Sequence, residues 1–169
     1  GERPAATRRM HGVAVVTVSV PPRASSAASS AGSRPERDRR NTSAGALAAK
    51  GHLAARAAFV EGASELAVHH AYVEAVGCVD KDLPYESIVA LDEKGAILHY
   101  CGKRTNRQGR VLLIDSGATC LGYGSDITRT WTTAAAEPVF RQLVAGVDAL
   151  QQKLCAMVKP GLSYVEIQN

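Results

Sequence analysis

Apolar and polar positions alternate in three textures along the chain: helical spacing first, then short apolar runs, then a long amphipathic repeat. Residues 44–60 are Ala-rich, with Leu47, Leu53 and Phe59, and Gly62 is placed to end a helix there. Ser64 is suited to cap a second helix, with Glu65 in its first turn, where the helix dipole favours a carboxylate. Leu66, His69/His70, Val73 and Val76 follow at helical spacing and Gly77 closes the segment. Four strand-like pieces come next, at residues 88–91, 96–100, 111–115 and 123–133. Asp92, Glu93, Lys94 and Gly95 form a turn between the first two, and residues 103–109 make a polar loop before the third.

Pro138 fits the first turn of a helix. Phe140, Leu143, Val144, Val147, Leu150, Leu154, Met157 and Val158 then mark one apolar face, which Pro160 and Gly161 terminate. Ser163 and Glu166 have the spacing of a capping box that starts another helix. The order predicts an α+β domain: two helices, a mainly antiparallel set of strands, then a long helix. Upstream of it, residues 13–20 could form one edge strand. Residues 21–43, rich in Ser, Ala, Arg and Pro without a large apolar side chain, read as a disordered tail or linker. The expected division is thus a basic tail at 1–43 and a folded domain at 44–169.

Charge sharpens that division. The net charge is +4, but residues 1–43 hold eight Arg against Glu2, Glu36 and Asp38, whereas residues 44–169 are nearly balanced. The basicity therefore belongs to the tail, and no nucleic-acid face is expected on the folded part. Cys78, Cys101, Cys120 and Cys155 form no C-x-x-C or C-x-x-H pair, the usual pattern of a reduced, cytoplasmic protein without disulfides or a thiolate zinc site. No apolar run reaches the ~18–20 residues of a membrane span. Walker-type and dinucleotide-type Gly loops are absent, and Ser116 lacks a G-x-S-x-G elbow.

The candidate chemistry lies in VLLIDSGATCLGYGSDITRTW, residues 111–131, where Asp115 and Asp126 stand eleven residues apart. A hairpin centred between Cys120 and Leu121 would place the two directly opposite on one face. Like charges so placed repel by a few tenths to ~1 kcal/mol, and a cation between them removes that penalty. The oxygen ligands suit Mn²⁺, Co²⁺ or Zn²⁺, although two carboxylates alone do not complete a transition-metal site. The alternative is two ordinary turn-forming aspartates. His99 ends the piece 96–100 and is either a group projecting into a cleft or a histidine bonded to backbone. Tyr123, Thr128 and Thr130 could support the aspartates, and Arg129 could pair with a carboxylate. His69 and His70 are adjacent on a helix and do not form a ligand pair. His11 and His52 are expected to face solvent.

Residues 112–131, LLIDSGATCLGYGSDITRTW, resemble the first metal-ligand segment of the Xaa-Pro dipeptidases (prolidases), which have the methionine-aminopeptidase-like pita-bread fold. LPYESIVALDEKGAILHY (83–100) is similar to the segment that precedes it, GHLAARAAFVEGASELAVHHAY (51–72) to the paired opening helices, and KPGLSYVEIQ (159–168) also fits. The resemblance covers about 44–169. It implies that Asp115 is the bidentate ligand of one metal, that Asp126 bridges both, and that His99 is an active-site histidine contacting substrate. It further implies two divalent metals, Mn²⁺ by expectation with Co²⁺ or Zn²⁺ as alternatives, which activate a water against the Xaa–Pro bond of a dipeptide with C-terminal proline. A homodimer is implied for the complete enzyme.

The family's third ligand, a His, and its two Glu ligands come from later strands. Glu137, Asp148 and Glu166 match helix and turn positions instead. The chain is therefore expected to be a truncated fragment with two of five ligands, binding metal weakly or not at all and inactive alone. Residues 1–43 do not resemble the family. An altered reading frame would explain that, and recovery of the same residues in an intact longer frame would sink the explanation. The other readings are a non-catalytic pita-bread binding module and a proline aminopeptidase of the same fold.

Overall fold

The computed structural model describes residues 11–14, 34–105 and 108–168. In chain order the elements are β1 (His11–Ala14), α1 (Arg34–Val60), α2 (Glu65–Val76), β2 (Ile88–Leu91), β3 (Val111–Ser116), β4 (Thr119–Cys120), β5 (Tyr123–Gly124), β6 (Ile127–Thr132), α3 (Pro138–Met157) and α4 (Tyr164–Gln168). The architecture is α+β, with an antiparallel four-stranded sheet in the order β1-β6-β3-β2.

Helix α1 starts at Arg34, so residues 34–43 are helical rather than disordered. An ion pair between Arg40 and Glu36, four residues apart, and a bond from Thr42 Oγ1 to the Asp38 carbonyl support this polar first part. Residues 21–33 of the expected linker lie outside the described residues. An edge strand forms at His11–Ala14, pairing with β6 and sharing only Val13 and Ala14 with the expected 13–20; residues 15–20 lie outside the described residues.

The buried face of α1 is made of small residues. Ala44, Ala48 and Ala55 are fully buried with Phe59, whereas Leu53 is exposed. Small side chains let α2 pack closely, and α2 returns Val68 and Tyr72 to the same core. Ser64 accepts a hydrogen bond from the Ala67 N–H at 3.2 Å, and Gly77 at φ +77° ends the helix, as read from the sequence. Against these helices the sheet presents Val89, Leu91, Leu112, Ile114 and Trp131. The inward residues of β3 alternate with Val111, Leu113 and Asp115, which lie on the opposite face. Burial of one face thus decides which way Asp115 points.

The expected strand at 96–100 does not form. Asp92–Ala96 is a 3₁₀ turn, and the chain then runs irregularly to Arg104. The cause is Glu65, which is fully buried. Its carboxylate accepts the Leu91 N–H at 2.9 Å, the Arg104 N–H at 2.8 Å, the Arg104 guanidinium at 2.7 Å and the Tyr100 hydroxyl at 2.9 Å. One side chain therefore ties both ends of the 91–104 loop, which holds the segment between them away from a strand's path.

The amphipathic stripe of α3 is present, yet only Val144 on it is buried; Leu143, Val147, Leu150 and Met157 are exposed. A cavity of about 560 Å³ separates part of α3 from the sheet, lined by Val111, Leu113, Thr130, Phe140 and Val144 among others. The capping box at α4 forms as predicted, with the Ser163 N–H donating to Glu166 Oε2 at 2.8 Å and the Glu166 N–H to Ser163 Oγ at 3.4 Å. Among the described residues no helix is long and apolar enough to cross a membrane.

Candidate metal centre

The link between the two aspartates is a tight hairpin. Cys120 pairs with Tyr123 and Thr119 with Gly124, leaving Leu121 and Gly122 as a two-residue turn with φ of +50° and +81°. Both central residues have positive φ, as a type I′ turn requires, and a glycine supplies one of them. The same register continues into β3 and β6, where Asp115 opposes Thr128 and Ser116 opposes Ile127. The expected register, with Asp115 directly opposite Asp126, is therefore corrected by two residues. A slip of two preserves the face, so Asp126 lies diagonal to Asp115 on the same side.

What joins them is Tyr85. Its hydroxyl lies 2.7 Å from Asp115 Oδ1 and 2.8 Å from Asp126 Oδ1. Tyr85 reaches this point because Pro84 packs on the hairpin link. A Cβ on Gly124 would fall 2.9 Å from Pro84 Cβ, and one on Gly117 would fall 2.8 Å from Pro84 Cγ and 1.8 Å from the Ser125 carbonyl oxygen. The glycines at 117 and 124 leave the space that brings the phenol between the carboxylates. Sequence reading missed Tyr85, which sits just before β2 and is linked to the pair only through folding.

A phenol carries one proton, and two carboxylate oxygens compete for it. Burial raises the Asp126 carboxyl above the ordinary range, the Tyr85 hydrogen bond opposes this, and repulsion from Asp115 adds to it. Burial and the two carboxylates push the Tyr85 phenol well above its usual range. The half-buried cluster is thus short of positive charge, which a divalent cation would supply. The donor set fits a hard or borderline cation in type and is incomplete in number. Among the described residues no group of three or more His, Cys, Asp and Glu could hold an ion.

His99 does not end a strand. It is exposed, at φ +54°, on the loop that Glu65 ties down. The solvent-facing position expected for His52 is also corrected: it is 3% exposed and packs under the pair. The His11 side chain lies outside the described residues. His69 is buried, with Nε2 2.6 Å from Asp80 Oδ1, while His70 is exposed, so the two do not act together. Arg129 is half-buried and its Nη1 donates to the Thr128 carbonyl at 2.8 Å.

Residues 40–169 match the model of metallopeptidase family M24. The chain is 47% identical over 123 residues to an Xaa-Pro dipeptidase of Stenotrophomonas maltophilia, a match covering 72% of this chain and 28% of that protein. It is 47% identical over 123 residues to Xaa-Pro dipeptidase 2 of Idiomarina loihiensis, with the same coverage. An Xaa-Pro dipeptidase of Marinobacter nauticus is 46% identical over 125 residues, 73% of this chain and 29% of that protein. The chain thus spans less than a third of the length of the curated relatives it matches. A pair of carboxylates converging on one face, in a chain whose greater part matches this family, leads to one conclusion: the chain belongs to metallopeptidase family M24.

Proposed function

We propose that this chain carries two carboxylate ligands, Asp115 and Asp126, of the dinuclear centre of an Xaa-Pro dipeptidase. The observation that carries the reading is the convergence of both carboxylates on the single Tyr85 hydroxyl, in a chain 47% identical over 123 residues to a protein named for that activity. Divalent metal, Mn²⁺ by preference with Co²⁺ or Zn²⁺ as alternatives, would supply Lewis-acid polarisation of the scissile carbonyl and a lowered water pKa. Asp115 and Asp126 would hold it, and Tyr85 orients their Oδ1 atoms from one side. His99, on its tied loop, is proposed to contact the dipeptide, whose C-terminal residue is proline. The complete enzyme is proposed to be a cytoplasmic homodimer; the four free cysteines are in keeping with that compartment.

Two ligands bind a transition metal weakly, so the chain by itself is proposed to be inactive. Incubating the purified chain with Ala-Pro or Leu-Pro and Mn²⁺ tests this. No release of proline is expected, and measurable turnover would overturn the inactivity.

A further inference from the structure

His52 stands on α1 behind the carboxylate pair, and the chemistry proposed above does not use it. Its Nε2 lies 3.1 Å from the carbonyl oxygen of Ser116, and the Ile127 carbonyl is also beside the ring. Ser116 follows Asp115, Ile127 follows Asp126, and the two face each other in the β3–β6 ladder. One imidazole therefore meets the backbone one residue beyond each aspartate. The ring itself is closely held. Tyr72 meets it edge-on at 5.3 Å between centroids and Trp131 lies at 6.1 Å. The neighbouring Gly51 permits this packing, since a Cβ there would fall 2.6 Å from Tyr72 Cε2.

Burial lowers the imidazole pKa to about 4, so the ring is neutral near pH 7 and its Nε2–H donates to Ser116. Nδ1 has no partner. A single N–H donor is all the polar function His52 supplies. Helix α1 makes a second tie on the other side of the hairpin link. The Ser125 hydroxyl accepts the Ala118 N–H at 3.0 Å and lies 3.2 Å from the Ala44 carbonyl oxygen. Ser125 immediately precedes Asp126, so α1 grips a residue adjoining each carboxylate.

We propose that His52 is a positioning residue for the Asp115–Asp126 pair: its Nε2–H, carried on the rigid α1, fixes the Ser116 carbonyl and with it the spacing of the two carboxylates. Its consequence for metal binding rests on the metal reading given above. A partner behind a ligand typically changes metal affinity by about 10–100-fold when removed.

The test uses the 169-residue chain with Mn²⁺ alone as probe. His52→Gln keeps an amide N–H near the position of Nε2, His52→Phe fills the space without a donor, and His52→Asn falls short of the carbonyl and serves if the Phe variant does not fold. Phe59→Leu perturbs the same core without touching either tie. Two signals are followed by NMR. The Tyr85 ring ¹³Cζ resonance, assigned with Tyr85→Phe, reports the pair without metal. Mn²⁺-induced broadening at residues 115–116 and 126–127 reports cation binding. His52→Phe or His52→Asn is expected to move the Tyr85 resonance and to raise the Mn²⁺ needed for broadening about tenfold or more. His52→Gln restores both, and Phe59→Leu changes neither. An unmoved Tyr85 resonance in the Phe and Asn variants overturns the proposal, as does failure of Gln to rescue or the same shift in Phe59→Leu. If the Tyr85 resonance behaves as expected but no variant shows local broadening, His52 keeps its positioning role and the metal reading falls instead.

Discussion

Tyr85 Oη stands 2.8 Å from Asp126 Oδ1, although forty-one residues of chain separate them. The same hydroxyl serves Asp115, so one proton relieves two converging negative charges. Removing it with Tyr85→Phe leaves both carboxylates half-buried and facing each other. A loss of about 1–3 kcal/mol at neutral pH is expected from a hydrogen bond to a charged group. Urea unfolding of Tyr85→Phe measures it, and part of the loss should return in Tyr85→Phe/Asp115→Asn, where the repulsion is gone. Unchanged stability in the single variant would show that the shared proton matters little.

Glu65 makes a separate prediction in acid. Burial alone would raise its carboxyl, but hydrogen bonds from Arg104, Leu91 and Tyr100 outweigh this and hold it below the ordinary carboxylate range. A depressed native pKa contributes stability that is fully present above the unfolded value of about 4.3 and is lost as pH falls through the native one. Glu65→Gln should therefore be less stable than the parent at pH 7, and the difference should shrink as the pH falls below the ordinary carboxylate value and through the lowered native one. Thermal melts across that range decide the matter. Hydrogen exchange should also quicken through the 91–104 loop in Glu65→Gln, because both its ends are tied to this carboxylate.

His52 titrates over a different window. Its native pKa of about 4 against the ordinary 6.5 means that the unfolded chain binds the proton first as pH falls. Stability complete above pH 6.5 is lost between those two values, by about 3 kcal/mol in all. His52→Gln has no such proton to bind, so its stability curve should be flatter between pH 6.5 and 4. Parallel curves for parent and variant would contradict the buried, neutral imidazole.

Two glycines are expected to respond in opposite senses. At Gly117 a Cβ would stand 1.8 Å from the Ser125 carbonyl oxygen, so Gly117→Ala must displace the backbone beside Asp126. A cost of about 3 kcal/mol or more, or failure to fold, is expected from such overpacking. At Gly146, inside α3, a Cβ would have nothing within 4 Å among the described residues, and Gly146→Ala should stabilise by about 0.5–1 kcal/mol through helix propensity. Chemical denaturation of both variants checks the pair.

The helices were legible wherever their ends carry local chemistry, as at Ser64, Gly77, Pro138 and the Ser163–Glu166 box. Asp115 and Asp126 were legible as a shared face, because a hairpin of either register keeps their parity. The register itself turned on which residues take positive φ, and Leu121 gives no signal for that. The strand expected at 96–100 failed because Glu65 captures the loop from another element. Its three partners, Leu91, Tyr100 and Arg104, span residues 91 to 104, so no short window shows the competition. Tyr85 and His52 were missed for the same reason. Each acts through a partner at least thirty residues away, and the trace left in the sequence is indirect: Pro84 opposite Gly117 and Gly124, and Gly51 beside Tyr72.

The central claim is that the Asp115–Asp126 pair is the part of this chain that meets a divalent cation. Residue-resolved NMR with a Mn²⁺ titration tests it most directly, because paramagnetic broadening detects even weak and transient binding. The account predicts broadening confined at first to Tyr85 and to residues 115–116 and 126–127, and its disappearance in Asp115→Asn and Asp126→Asn. Broadening centred elsewhere, or left intact by both substitutions, would contradict it.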